Sequence, residues 1–154
     1  MGMISSIRKF FRRKPLVVVI RLDGVIGAVS RFGSGGLDDS NTQKLLEKAF
    51  EFEKAKAIAI KINSPGGSPT QSSLIASRIL KLSEEKKIPV LCFCEDVAAS
   101  GGYWLACAGE EIYSDINSII GSIGVISASF GFSELISRYG CLLYTSPSPR
   151  DTVT

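Results

Sequence analysis

Histidine is absent from all 154 residues of this sequence. Without an imidazole, the chain alone supplies neither a Ser-His-Asp triad, nor a Cys-His pair, nor a zinc site with histidine ligands. Long apolar runs are also missing, because Arg21 and Asp23 interrupt the most hydrophobic stretch, LVVVI. A membrane-spanning helix needs about 20 apolar residues. We therefore expect neither a transmembrane segment nor a secretory signal, and a protein that is cytoplasmic or peripherally attached to a membrane.

Acidic residues are missing from the first 14 positions, whereas the rest of the chain carries 15 acids and 13 cations. We interpret residues 1–15 as a basic leader, either merely solvated or in peripheral contact with an anionic membrane surface, and we expect no nucleic-acid partner. Its cations are Arg8, Lys9, Arg12, Arg13 and Lys14.

The four cysteines do not form a metal-binding pattern, because there is no second close pair and no histidine. Cys92 and Cys94 lie two positions apart in an apolar stretch, and Cys107 and Cys141 stand alone. We predict buried free thiols and no metal or cofactor.

Hydrophobic residues make up 45% of the chain, a fraction typical of a globular domain. We assign this domain to residues 16–140. Apolar strand patterns alternate with amphipathic helix patterns, and this alternation predicts an α/β fold with repeated βαβ units and a mostly parallel sheet. The predicted strands are 16–22, 57–62, 90–94, the surroundings of Ile112 and Tyr113, and 123–126; the predicted helices are 40–52, 68–87, 101–108 and 132–139.

Local signals set the expected ends of these elements. Ser40 and Gln43 have the spacing of a capping box, so the first helix is expected to begin at Ser40. Ser68 followed by Pro69 predicts the start of the second helix. The third strand is expected to end at Glu95–Asp96. Residues 141–154 contain two Ser-Pro steps and no amphipathic pattern, so we interpret them as a non-native tail following a truncated domain.

Two glycine-bearing junctions follow neighbouring strands. Asn63–Ser68 (NSPGGS) is by itself either a tight strand-to-helix turn or a cradle for an anion. In the second junction, Ser100 is followed by two glycines at the start of a helix, which suits either a helix cap or a nucleophile beside amide donors. Ligands of parallel α/β sheets bind at the carboxyl ends of the strands, where both junctions are expected.

The combination of NSPGG, ASGGYW and IIGSIGV resembles the signal peptide peptidase A family of serine proteases, over about Val17–Tyr139. The resemblance implies a fold similar to Clp protease and crotonase, a Ser-Lys dyad in place of a triad, peptide substrates and homo-oligomers. It further implies that Ser100 is the nucleophile, that Gly101 and either Gly66 or Gly67 donate to the oxyanion, and that Ser122 orients the catalytic lysine. The alternative for Ser122 is a residue of a turn whose hydroxyl forms a hydrogen bond with nearby backbone. Tyr103 and Trp104 are expected to pack the nucleophile helix in preference to contacting substrate.

The lysines depart from this family. In the family the lysine follows the serine by roughly fifty residues, whereas here the last lysine is Lys87. Lys61 is the lysine nearest a catalytic strand, and we expect its side chain to point to a face or edge of the sheet. We therefore predict a peptidase of this type, cleaving peptides such as membrane-derived signal peptide remnants, in an inactive fragment. The alternatives are a noncatalytic crotonase-like module for assembly or membrane-surface binding, and a crotonase-type acyl-CoA enzyme.

Overall fold

A computed structural model describes residues 15–27, 36–125, 135 and 138–140. Five strands and three helices alternate along this part of the chain, which confirms the α/β class. The strands are β1 (Leu16–Asp23), β2 (Ala55–Ser64), β3 (Val90–Ala99), β4 (Glu111–Ser114) and β5 (Ile119–Gly121); the helices are α1 (Asp39–Phe50), α2 (Pro69–Lys86) and α3 (Gly101–Ala106).

The strands form one sheet in the order β1-β2-β3-β4, in which every pair is parallel. β3 has two partners on one edge: its first half pairs with β4 and its last residues, Val97–Ala99, pair with β5. The change of partner coincides with a break in the β2–β3 register between Ile62 and Ser64. β4 and β5 therefore follow one another along the same edge of β3.

The core lies between one face of the sheet and the helices. Side chains of a strand alternate between faces, and in β1 the alternate residues Ile20 and Leu22 are buried while Val19 is 60% exposed. The inner face packs against apolar residues of all three helices, including Leu46, Ile75 and Leu105. The opposite face carries charged and aromatic side chains, among them Arg21, Lys61, Phe93 and Tyr113. The rings of Phe93 and Tyr113 stack with centroids 5.0 Å apart.

Helix α1 begins at Asp39, before the capping box that Ser40 predicted, so that prediction was wrong. Asp38 is the N-cap: its carboxylate accepts the Asn41 N–H at 2.8 Å, and the Asn41 side chain accepts the Asp38 N–H at 3.1 Å. The hydroxyl of Ser40 instead donates to Asp38. The early start places Asp39 in the first turn, where Arg78 of α2 binds its carboxylate through two nitrogens.

Helix α2 begins as predicted, with Ser68 as the N-cap and Pro69 at the first helical position. Gln71, at capping-box distance, does not bond the Ser68 backbone; its side-chain oxygen accepts the Asp39 N–H at 2.8 Å and so joins α2 to α1. The helix ends at Lys86, and Lys87 takes a left-handed conformation two residues before Pro89.

Two predicted strand boundaries were wrong. β3 continues through Glu95–Asp96 to Ala99, and the strand expected at 123–126 is displaced to Ile119–Gly121, with 122–125 outside any strand. Most of the predicted helix 132–139, the leader up to residue 14 and the tail 141–154 lie outside the described residues. None of the helices in the described part is long and apolar enough to cross a membrane.

The described cysteines are free thiols. Cys92 and Cys94 are buried on the inner face of β3, as predicted, and burial raises the pKa of Cys92 to about 12. Cys107 is exposed, because it follows the last turn of α3, so its predicted burial was wrong. Cys141 lies outside the described residues.

Candidate active site

The two glycine junctions meet at the carboxyl ends of β2 and β3. A Cβ atom placed on Gly66 would lie 2.7 Å from the Gly101 nitrogen and 2.8 Å from both the Ala99 oxygen and the Ser100 Cβ. Real Cβ atoms do not approach backbone this closely, so only glycine fits at position 66. Parallel neighbours end at the same edge of a sheet, which explains why junctions 36 positions apart are in contact here.

Ser100 stands in the sharp turn between β3 and α3. Its backbone has φ 52° and ψ −118°, a region that residues other than glycine rarely occupy, and its side chain makes no capping hydrogen bond to the helix. The interpretation of the Ser100 hydroxyl as a helix cap is therefore wrong. The backbone is held from the other side, because the Ser100 N–H donates to the Gly121 oxygen at 2.7 Å. A hydroxyl displayed on a strained strand-to-helix turn is typical of nucleophilic serines.

The neighbouring amides differ in their availability as donors. The Gly66 N–H donates to the buried Ser64 hydroxyl at 3.1 Å. In the described part of the chain, no acceptor takes the Gly67 N–H, and Gly67 lines the same cavity as Ser100. Gly101 opens α3, and the first amides of a helix have no acceptor within the helix. Within the described residues, Gly67 therefore has a free amide N–H beside the start of α3, whereas Gly66 does not.

Small residues hold α3 close against the two junctions. Gly102 leaves no room for a side chain, since a Cβ there would lie 2.5 Å from the Ser64 oxygen. A Cβ on Gly101 would overlap the hydroxyl of Ser72, which is itself fully buried and donates to the Ser68 oxygen at 2.8 Å. The glycine pair is needed because the turn that bears Ser100 packs directly on β2 and α2.

A cavity of about 570 Å³ opens beside Ser100. Its wall is mainly apolar and includes both aromatic residues of α3, although Trp104 is also 46% exposed. Cys107, which sequence reasoning did not connect with the site, also lines the cavity. The only signal for this was its place one helical turn after Tyr103. The lining residues are Gly67, Pro69, Ser100, Gly101, Tyr103, Trp104, Cys107, Ser122, Ile123, Gly124 and Val125.

Ser122 lies in this cavity wall, one residue after the carbonyl that holds the Ser100 amide. Ser122 has a φ of 53°, and the glycines on either side of it in the sequence, Gly121 and Gly124, also have positive φ. Its hydroxyl has no hydrogen-bond partner in the described ranges, so the bond to nearby backbone expected of a simple turn residue is not found there.

Lysine is missing from the described lining of the cavity. Lys61 lies on the open face of the sheet, as predicted, where its ammonium pairs with the Glu95 carboxylate. Arg21 donates to the same carboxylate at 2.7 Å, and the two cations lower the pKa of Glu95. Within the described ranges, no group of three or more cysteine or acidic side chains is placed to hold a metal ion.

Parts of this chain are similar to known proteins. Residues 83–146, which contain Ser100 and Ser122, match the model of peptidase family S49. The chain is 37% identical over 128 residues to "Serine protease SPPA, chloroplastic" of Arabidopsis thaliana, a match that covers 80% of this chain and 18% of that protein. It is 47% identical over 148 residues to a Brucella melitensis protein named "Na(+)/H(+) antiporter NhaA", a match that covers 95% of this chain and 20% of that protein.

Among solved structures, a mutant of the "1510-N membrane-bound stomatin-specific protease" superimposes with a TM-score of 0.57 over 82% of this chain and 59% of that one. At 24% identity this likeness supports the fold alone. The chain spans about a fifth of the length of the curated relatives named above. The part of the antiporter-named protein that is similar to this chain is thus a small fraction of that protein.

Proposed function

This chain belongs to peptidase family S49, and from that premise we propose that it carries the nucleophile and the oxyanion donors of a serine endopeptidase of the signal peptide peptidase A type. The observation that carries the proposal is the conformation of Ser100. Its hydroxyl caps no helix amide, its backbone is strained, and it faces a cavity beside free amide donors. A purely structural turn has no need of that combination.

In the proposed reaction, the Ser100 hydroxyl attacks the carbonyl carbon of a peptide bond. The developing oxyanion accepts hydrogen bonds from the Gly67 and Gly101 amides, and a single such donor is typically worth about 10²- to 10³-fold in rate. Collapse of the tetrahedral adduct expels the amine with a proton returned by the base and leaves an acyl-enzyme. Water then releases the acid and restores Ser100.

We propose that the general base of this reaction is a lysine outside these 154 residues, since the last lysine of the sequence, Lys87, precedes Ser100. Lys61 does not fit the role, because its ammonium is paired with Glu95 on the sheet face that points away from the core. Ser122 supports the proposal of a lysine, since its hydroxyl is unbonded in the described part and lines the cavity with Ser100. We therefore propose that Ser122 orients the lysine amine and that these 154 residues alone are inactive, lacking base assistance worth about 10²- to 10⁴-fold.

Apolar peptide segments are the proposed substrates. The wall includes Pro69, Tyr103, Trp104, Ile123 and Val125 and carries no charge, so it favours hydrophobic side chains such as those of signal peptide remnants. For Tyr103 and Trp104 this proposal departs from the expectation that they pack the helix in preference to contacting substrate. Homo-oligomers are proposed on the family premise. The five cations of residues 8–14 are proposed to contact anionic membrane surfaces.

Serine-directed labelling tests this proposal. In the full-length gene product, a fluorophosphonate should label Ser100 and block peptide hydrolysis. Ser100→Ala should abolish both while leaving the unfolding midpoint nearly unchanged, because the hydroxyl makes no capping bond. Ser118→Ala is the matched control, since Ser118 lies in an exposed turn and accepts the Asp115 N–H outside the cavity. Hydrolysis that survives Ser100→Ala would refute the assignment.

The noncatalytic module is the alternative that the same experiment addresses. It would give no labelling of Ser100 in any gene product, although the fold would be intact. If the 154-residue chain by itself cleaves peptides in a Ser100-dependent way, the base is Lys61 or comes from another subunit, and the proposal of an external lysine fails.

A further inference from the structure

Strand β3 changes partner immediately before the nucleophile. Leu91–Cys94 pair with β4 and Val97–Ala99 pair with β5. Between these two pairings, β3 has no partner on that edge among the described residues. Across the sheet, residues 95–97 lie opposite a single residue of β2, Asn63, because the register runs from Ile62↔Cys94 to Ser64↔Ala98. β3 thus contains a bulge of two additional residues, and bulges re-aim the strand that follows them.

Asn63 takes up the hydrogen bond that the bulge removes from the ladder. The Val97 N–H donates to the Asn63 side-chain oxygen at 3.2 Å, where a regular ladder would offer a backbone carbonyl of β2. The backbone oxygen of Asn63 meanwhile accepts the Gly24 N–H at 2.9 Å. A single residue therefore joins the end of β1, the end of β2 and the bulge of β3.

The register that follows the bulge decides where Ser100 lies. The Asn63 side chain bonds the Val97 N–H, and only Ala98 and Ala99 lie between Val97 and the nucleophile. The Ser100 N–H then donates to the Gly121 oxygen of β5. Ser100 also has little room to move towards the β2 junction. Gly66 packs so tightly against it that a Cβ there would lie 2.8 Å from both the Ala99 oxygen and the Ser100 Cβ. A shift of β3 at the bulge must therefore move Ser100 relative to the Gly67 amide.

We propose that Asn63 is a positioning residue for Ser100, whose side-chain oxygen fixes the bulge of β3 and so the place of the nucleophile beside its oxyanion donors. This inference rests on the proposed function. In this role the Asn63 side-chain oxygen accepts the Val97 N–H, and Asn63 does not need to contact substrate. A side chain of the same size without an acceptor should fail, whereas a carboxylate should serve.

Steady-state kinetics of the full-length gene product on an apolar peptide separates positioning from simple stabilisation. Asn63→Leu should lower kcat about 10- to 100-fold, as expected for a displacement of about 1 Å at the reacting atom, with KM within about twofold. Asn63→Asp, which keeps the acceptor, should retain most of kcat. Asn41→Leu is the matched control: it removes the side-chain bonds of the α1 cap, so it should lower the unfolding midpoint without changing kcat.

Wild-type kcat in Asn63→Leu, together with an inactive Ser100→Ala, would overturn this inference and leave the proposed function standing. Activity in Ser100→Ala would instead overturn the proposed function. If Asn63→Leu does not fold, amide NMR of Asn63→Asp in the 154-residue chain decides the matter. A carboxylate acceptor should shift the Val97 amide proton downfield, and unchanged Val97 and Ser100 amides would show that the proposed contact does not set this register.

Discussion

Substituting Gly66 by alanine measures how closely the two glycine junctions are packed. Gly66 has φ +93°, where a residue with a Cβ costs about 1 to 3 kcal/mol. The new methyl group would also lie 2.7 to 2.8 Å from the Gly101 nitrogen, the Ala99 oxygen and the Ser100 Cβ. All of these are backbone atoms or a Cβ, so none moves by rotation of a flexible side chain. Overpacking of this kind typically costs about 1 to 3 kcal/mol more.

Gly24→Ala is the matched control for this experiment. Gly24 has nearly the same backbone, φ +103°, but a Cβ there would meet nothing within 4 Å. It therefore reports the conformational cost alone, and the difference between the two variants reports the contact with Ser100 and Gly101. We expect Gly66→Ala to lose about 2 to 6 kcal/mol of unfolding free energy, against about 1 to 3 kcal/mol for Gly24→Ala. The larger loss is substantial for a domain whose whole stability is about 5 to 15 kcal/mol.

Urea unfolding checks this expectation, with far-UV circular dichroism and the fluorescence of Trp104, the only tryptophan, as probes. Trp104 lies one turn after Ser100, so its signal reports the turn that the methyl group would displace. Gly66→Ala in a full-length product should also lose peptidase activity, while Gly24→Ala should keep it. Equal unfolding free energies for the two variants, within about 0.5 kcal/mol, would refute the close contact between the junctions.

Three further predictions concern other parts of the chain. Iodoacetamide at pH 8 should alkylate exposed Cys107 in the folded protein but not Cys92, whose thiol has a pKa raised to about 12 by burial; mass spectrometry showing equal rates would contradict the buried position of Cys92. The Arg78 guanidinium lowers the pKa of Asp39. This pair therefore stabilises the fold at pH values above the unfolded-state pKa of about 3.9, and its contribution is lost as the pH falls from there through the lowered folded-state pKa. Asp39→Asn should cost about 1 kcal/mol at pH 7 in urea unfolding and less at pH 3, and an equal cost at both pH values would show that the charge does not matter. Vesicles containing anionic lipid should bind the chain through residues 1–14 with at most about 1 kcal/mol per cation, and binding that persists in high salt or after neutralisation of these cations would rule out an electrostatic contact.

Local patterns were sufficient for most of the fold, because they reflect interactions between residues close in the sequence. The apolar strand at 57–62 and the helix from Ser68 were identified correctly, although β2 extends two residues beyond the prediction at each end. The start of α1 shows where this reasoning stops. Asp38 and Ser40 are both good caps, and the choice depends on Asp39 reaching Arg78 and Gln71 in the next helix, contacts 39 and 32 positions away.

The strand near the site shows the same limit. The segment IIGSIGV is largely apolar throughout, so its sequence does not distinguish Ile119–Gly121 from 123–126 as the paired residues. The pairing is decided by β3, whose bulge turns its last residues towards β5, and by the bond from the Ser100 amide to Gly121. The bulge itself depends on Asn63 and Val97, which are 34 positions apart.

By itself the sequence determined the chemistry that is possible: no histidine, a glycine pair after one strand, and a serine among glycines after the next. Only the tertiary structure decided that the Ser100 hydroxyl caps nothing, that Gly66 gives its amide to Ser64 while Gly67 faces the cavity, and that Lys61 is engaged by Glu95. The physical reason is that residue types and short-range spacing are set along the chain. The direction of an amide or a side chain at a strand end is set by the partners that the sheet brings beside it.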